Sequence, residues 1–287
     1  MYKQLKSRIL AAGLFFFATA VTAAELQVIH YNPAQEAVFP VSSSLIMGEQ
    51  EAILVDAQFS LADGEALVKM INASGKALTT IYISGGDPDF YFGLQPIVAA
   101  FPDARVIASS AVVAHIEKTK QAKLAHWGPI LAEQAPQQII VPAVYDETTL
   151  LLEGETIEVK EINTHQAYLW LPATKTALGG VLVSNGIHLW MADSQTVSAR
   201  AEWVKALERL LALQPKQVIP GHYLGALPDG AAAVQFSRDY LLRFEQLLSQ
   251  KPDAAKLIKD LQQAYPHLPV DDSLSISAKV STGEMTW

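Results

Sequence analysis

The chain of 287 residues contains no cysteine. That absence excludes disulfides, thiolate nucleophiles and cysteine metal ligands, so any transition metal must rely on histidine, aspartate or glutamate. Charge is sparse as well, with 17% of residues charged against 50% hydrophobic. Such a balance excludes a disordered or collagen-like chain and leaves ample material for a sizeable core. The net charge is −8 and no basic run overrides it, which argues against nucleic acid and anionic lipid as partners. There is no Walker loop and no Gly-x-Gly-x-x-Gly turn. The hydroxyls of Ser42, Ser43 and Ser44 lie outside any Gly-x-Ser-x-Gly elbow, so no serine nucleophile is indicated. No Gly/Ser linker or shift in composition marks a domain boundary.

The first residues are of a different kind. Lys3, Lys6 and Arg8 form a basic start, Ile9 to Val21 is apolar, and the small residues Ala23 and Ala24 stand before Glu25. This order predicts a secretory signal peptide over residues 1–24, a single domain over 25–287, and a periplasmic or secreted protein. The apolar run is shorter than the ~20 residues of a spanning helix, which disfavours an uncleaved anchor. Without a cysteine at the cut, lipid attachment is excluded, so the expected mature protein has no stable membrane anchor. Cleavage removes three positive charges and no negative ones, taking the net charge from −8 to −11.

Along the rest of the chain, strands are expected at Leu26–His30, Ser44–Met47, Ala52–Asp56 and Ile81–Ile83. A helix capped by Ser60 falls between the last two, with Leu67, Met70 and Ile71 as its apolar stripe. Phe92–Phe101 reads as a short helix that leads into another buried strand before Ser109, and Ser110–Gln134 reads as helix broken near Gly128-Pro129. A run of strands follows at Ile139–Val141, Thr149–Leu152, Thr156–Val159, Tyr168–Leu171 and Ala177–Val183. Helices over Ala199–Leu213, Phe236–Leu248 and Ala254–Tyr265 complete the order, with a short strand at Gln217–Ile219. Strict β-α alternation breaks between Ile139 and Val183. Two sheets packed face to face with helices outside therefore fit better than a doubly wound sheet.

One loop carries the most information: ISGGDPDFYFGL, Ile83 to Leu94, at a strand-to-helix junction. It resembles the junction at which the metallo-β-lactamase superfamily carries His-x-His-x-Asp-His and holds two metal ions. Three other stretches resemble that superfamily in the right order: EAILVDA (Glu51–Ala57), TALGGVLVSNG (Thr176–Gly186) and QVIPGHY (Gln217–Tyr223). The resemblance covers about Leu26 to Pro220. It extends to a branch of exported proteins of uncertain function whose loop reads Ser-His-Gly-Asp-Pro-Asp-Tyr-Tyr-Phe-Gly-Leu. It implies an α/β (α+β) four-layer αββα sandwich and a metal-dependent hydrolase. The chain departs from the ligand pattern, however. Gly85, Asp87, Asp89 and Phe90 occupy the four loop positions, and Gly180 stands where a bridging aspartate is expected. The middle histidine is expected near Ile162, and His165 lies three positions later.

Asp87 and Asp89 are two apart, so both carboxylates can address one cation, and the resemblance adds His222 as a third ligand. Two carboxylates and an imidazole suit Zn²⁺, Mn²⁺, Fe²⁺ or Mg²⁺, with His165 as a possible fourth donor and Asp89 as the catalytic carboxylate. The alternative without metal is that Asp87 opens a turn before Pro88 and Asp89 caps the following helix. Asp56 is expected to support the site loop without touching an ion. His188 and Trp190, in NGIHLWMAD, are expected to line a substrate cleft, and Trp127 either covers it or fills the core. Two functions stand side by side. One is an exported hydrolase with a single ion acting on a small ester, lactone, amide or phosphoester. The other is a metal-free protein that binds a small molecule or a partner.

Overall fold

Strand residues buried on both faces define the first of two sheets. In β2 (Ser43–Met47, after β1, Gln27–Tyr31) every residue is buried, and in β3 (Glu51–Val55) all but the first. The computed structural model describes residues 26–287, so the expected signal peptide lies outside the described residues. β4 (Ala77–Tyr82), β5 (Arg105–Ala108) and β6 (Ala143–Val144) complete this sheet in chain order. Its first three strands are antiparallel and its last three pairings are parallel. Parallel pairing demands crossovers. These are supplied by α1 (Leu61–Ser74), by α2 (Pro88–Tyr91) with α3 (Leu94–Ala100), and by α4 (Ser110–Leu131). Ser60 Oγ accepts from the Asp63 N–H at the start of α1, and Gly75 closes it in the left-handed region.

The second sheet is mostly a meander: β7 (Thr149–Leu152), β8 (Glu155–Lys160), β9 (Tyr168–Leu171) and β10 (Thr176–Leu178) are antiparallel neighbours. The chain then makes β11 (Ser184–Asn185) and α5 (Val197–Ala212) before β12 (Gln217–Ile219) joins β10 in parallel. β13 (His222–Tyr223) pairs with β11 as a separate two-stranded ribbon. Three helices close the chain: α6 (Ala232–Leu248), α7 (Ala254–Ala264) and α8 (Asp272–Thr282).

Side-chain alternation then fixes the layers. Ile53 and Val55 of β3 face the second sheet and meet Leu152, Leu169 and Leu178 in a core between the sheets. Ala52 and Leu54 face the other way, against Leu67 and Ile71 of α1. Trp203, Leu207 and Leu210 of α5 pack with Tyr240, Leu241 and Phe244 of α6 on the outside of the second sheet. The order is helix, sheet, sheet, helix: a four-layer αββα sandwich. Among the described residues no helix is long and apolar enough to cross a membrane.

Several local expectations differ from the structure. α4 continues through Gly128-Pro129 to Leu131. Pro129 sits in its last turn, where the missing N–H removes a bond from a helix about to end. Ile139–Val141 forms no ladder; Ala143–Val144 pairs with β5 instead, while the three apolar side chains pack on the outer face of the first sheet. The helix expected over Phe92–Phe101 spans only Leu94–Ala100, and a separate short helix, Pro88–Tyr91, precedes it. The strand expected to run to Val183 ends at Leu178, because Gly179 and Gly180 both take positive φ. α8 and the β11–β13 ribbon were not anticipated.

Candidate functional site

The site loop leaves β4 at Tyr82, and its first part is dry. Asp56 lies just past β3 with φ +65° and is fully buried. Its Oδ1 accepts the Ser84 N–H at 2.8 Å and its Oδ2 accepts the Ser84 hydroxyl at 2.6 Å. Ser84 Oγ in turn accepts the Gly180 N–H at 2.8 Å. Asp56 thus ties together the ends of β3, β4 and β10. Burial pushes its carboxyl up to about 7, and the nearby charge of Asp89 adds to the effect against its hydrogen bonds with Ser84.

Two departures from the ligand pattern prove to be complementary in shape. A Cβ on Gly85 would lie 2.7 Å from the ring of Phe90. Phe90 itself is completely buried and meets the His222 ring edge to face, with centroids 5.6 Å apart. Hydrocarbon therefore fills the space that a side chain at position 85 would need. The same exclusion holds at Gly180, where φ is +68° and a Cβ would lie 2.0 Å from the Ala167 carbonyl oxygen. No side chain, ligand or otherwise, fits there.

Beside the Phe90 ring, Asp89 Oδ2 and His222 Nε2 are 2.6 Å apart, both largely buried. Pro220-Gly221 carries the chain from β12 to His222, whose backbone pairs with Ser184 of β11 and bridges to Val41.

Asp87 points elsewhere. Its Oδ1 is ion-paired with the ammonium of Lys123 on α4, and His115 Nε2 on the same helix lies 3.8 Å away. Burial alone would raise the Asp87 carboxyl. The imidazole of His115 and the charges of Lys123 and His165 reverse this and hold it well below the usual carboxylate range. Asp87, His165 and Asp193 each bring one donor atom to within 4.8 Å of the others, and they are the one such set of three among the described residues. His165 comes from the β8–β9 connection and Asp193 from the segment after β11; both are exposed. Asp193 is held by two indoles: Trp190 Nε1 donates to its Oδ2 at 2.6 Å and Trp287 Nε1 to its Oδ1 at 3.0 Å. The two rings meet edge to face at 5.1 Å.

These positions correct the expected ligand set. Asp87, Asp89 and His222 do not converge on one point. The structure divides them into a buried Asp89–His222 pair and an exposed group in which Asp87 joins His165 and Asp193. The reason is that Asp87 precedes the first turn of α2 and Asp89 lies within it, so two residues of separation turn the carboxylates apart. The substrate role expected of His188 is corrected too. It is buried in the helical layer, its Nδ1 bonded to Tyr240 OH at 2.9 Å, and burial lowers its pKa to about 4. Trp190 reaches the exposed group only through Asp193. Trp127 packs edge-on against Phe39 and Phe59 on the outer core of the first sheet. Sequence reasoning missed Lys123, His115 and Trp287 at this site. Asp193 was visible only as part of its segment.

No protein-family model matches this sequence. No curated protein is detectably similar to it in sequence. The solved structures are informative. A metallo-beta-lactamase family protein from Thermus thermophilus superposes with a TM-score of 0.61 at 17% identity, covering 90% of this chain and 91% of that one. The chain has the metallo-β-lactamase fold. A metallo-beta-lactamase from Pontibacter korlensis gives a TM-score of 0.53 at 17% identity, covering 78% of this chain and 97% of its own. The DIM-1 metallo-beta-lactamase exposed to ceftazidime gives 0.53 at 14%, covering 78% and 99%. Against that fold's His-x-His-x-Asp-His ligands, a two-metal centre does not fit the residues present here. Gly85 carries no ligand, Phe90 fills its space, and Gly180 admits no side chain. The remaining donor set, Asp87, His165 and Asp193, fits one ion.

Proposed function

We propose that this protein is an exported hydrolase of the metallo-β-lactamase fold with a single, displaced metal site, acting on a small ester, lactone, amide or phosphoester. The observation that carries this reading is the convergence of two carboxylates and one imidazole from three separate loops, Asp87, His165 and Asp193. Such a donor set suits Zn²⁺, Mn²⁺ or Fe²⁺. An ion there supplies a bound water of lowered pKa and a Lewis acid for the substrate oxygen.

The chain's own groups supply the rest. Trp190 and Trp287 fix the orientation of Asp193 and present aromatic surface beside it. Lys123 is ion-paired with Asp87 and compensates its charge while no ion is bound. Asp56, through Ser84, holds the loop that carries Asp87 without facing the ion. An open depression of about 530 Å³ is lined by Thr148, Thr149 and residues 158–164, the stretch that leads directly to His165. None of the three proposed ligands lines that depression. The signal-like order of residues 1–24 supports export, and the net charge of −8 supports a small-molecule substrate over nucleic acid or membrane.

A second reading, a metal-free binding protein, is favoured by one specific feature: Asp87 already has a cationic partner in Lys123. Metal analysis separates the two, using mature protein purified without chelator or a histidine tag, with Asp193→Ala alongside. About one ion per chain, lost in the variant, is expected for the hydrolase and justifies a screen of ester and phosphoester substrates. A folded wild type without metal would remove the hydrolase reading and turn the search to ligands.

A further inference from the structure

The ammonium of Lys123 has three protons to donate and three acceptors around it. These are Asp87 Oδ1 in an ion pair, His115 Nε2 at 3.1 Å and the Gly86 carbonyl at 3.5 Å. His115 and Lys123 lie eight residues apart, about two turns, on one face of α4. That face can lie against the site loop only because residue 86 is glycine: a Cβ there would sit 2.7 Å from the His115 ring. The Lys123 side chain is only 21% exposed, so this is a built seat for a cation rather than a surface ion pair.

From this arrangement we infer that Lys123 is the site's resident cation and competes directly with a metal ion for Asp87. The inference rests on the reading of Asp87, His165 and Asp193 as the ion's ligands. The ammonium already compensates the Asp87 charge, so an incoming dication meets a like charge beside the carboxylate, and the lysine keeps the site's affinity for divalent metal low. Replacing Lys123 by a neutral residue leaves Asp87 uncompensated and opens its oxygen to the ion.

The test is a Mn²⁺ titration followed by the electron paramagnetic resonance signal of free Mn²⁺, with thermal unfolding measured in parallel. Lys123→Met is expected to bind Mn²⁺ at least about tenfold more tightly than wild type, given the loss of a like charge at contact distance. Its melting temperature should fall in chelator and recover on adding Mn²⁺. Lys123→Arg should keep the wild-type affinity, and adding Asp193→Ala to Lys123→Met should abolish the gain. Lys123→Gln, which can still donate to Asp87, provides a folded neutral variant if the methionine form is unstable in chelator. Equal affinity in wild type and the neutral variants, or a gain that survives Asp193→Ala, would overturn the inference. A wild type that holds no metal beside a Lys123→Met form that does would uphold the inference while removing the hydrolase reading of the native protein.

Discussion

The buried and exposed sides of the candidate site treat their carboxylates in opposite ways. At the buried end, Asp56 hydrogen-bonds Ser84, Asp89 pairs with His222, and the Phe90 ring fills what remains. At the exposed end, Asp87 and Asp193 are satisfied by side chains that can move away: a lysine and two indoles, one of them about half exposed. The first set is closed by packing and backbone; the second is closed only by replaceable partners. Hydrocarbon and glycine backbone fill the interior, while the rim holds three donors within 4.8 Å of one another.

The sharpest way to break this comparison is to force the interior back toward a metal centre. Gly180→Asp restores the aspartate that the fold's ligand pattern expects. The backbone at 180 is left-handed, however, and a Cβ would lie 2.0 Å from the Ala167 oxygen. The expected outcome is a loss of about 4 kcal/mol or more in denaturant unfolding, with no gain in bound metal. A stable Gly180→Asp protein that binds an additional ion would show that the interior is not filled and merely lacks a ligand.

The fold was legible in the sequence and the site was legible only in pieces. Alternating and continuous apolar runs, from the buried β3 to the Trp203, Leu207, Leu210 stripe of α5, report packing that each segment must satisfy for itself. They placed both sheets and most helices. Gly85, Phe90 and Gly180 were legible as departures from a ligand pattern, yet the fit of the Phe90 ring over Gly85 is a property of shape that spacing does not encode. The exposed site depends on meetings across long stretches of chain, with Asp87 and Lys123 36 residues apart and Asp193 and Trp287 94 apart. No periodicity joins such residues. Lys123 belongs to no motif in the sequence, and only the loop folding back onto α4 gives it a partner.

A second, smaller effect separates the two ends by pH. Asp56 has its carboxyl raised from 3.8 to about 7 in the folded protein, so between those values the folded state holds a proton that the unfolded chain has released. Its contribution therefore makes stability fall as pH rises from about 4 to about 7, by a few kcal/mol in all, and level off above. Asp87 runs the other way: its lowered carboxyl stabilises the fold above the ordinary carboxylate range and loses that effect as pH drops through it. Asp56→Asn mimics the protonated form. Unfolding free energies measured from pH 4 to 8 should show the wild type losing stability relative to Asp56→Asn across that window. Parallel curves for the two proteins would mean that Asp56 does not titrate there.

The smallest effect is expected at the rim, and it bears most directly on what kind of closure the rim has. Trp287 donates to Asp193 from an exposed position, so Trp287→Phe keeps most of the ring and removes one hydrogen bond. Stability should change by about 0.5 kcal/mol or less. If the indoles compete with an ion for Asp193 as Lys123 does for Asp87, freeing Oδ1 should tighten Mn²⁺ binding by about two- to fivefold, the modest return of one solvent-exposed charge-assisted bond. If the indoles instead aim the carboxylate, affinity should fall by a similar factor. A rise would make the whole rim a set of removable stand-ins around a latent metal site. A fall would divide it, with Lys123 as the competitor and the tryptophans as the frame that keeps Asp193 within reach of Asp87 and His165.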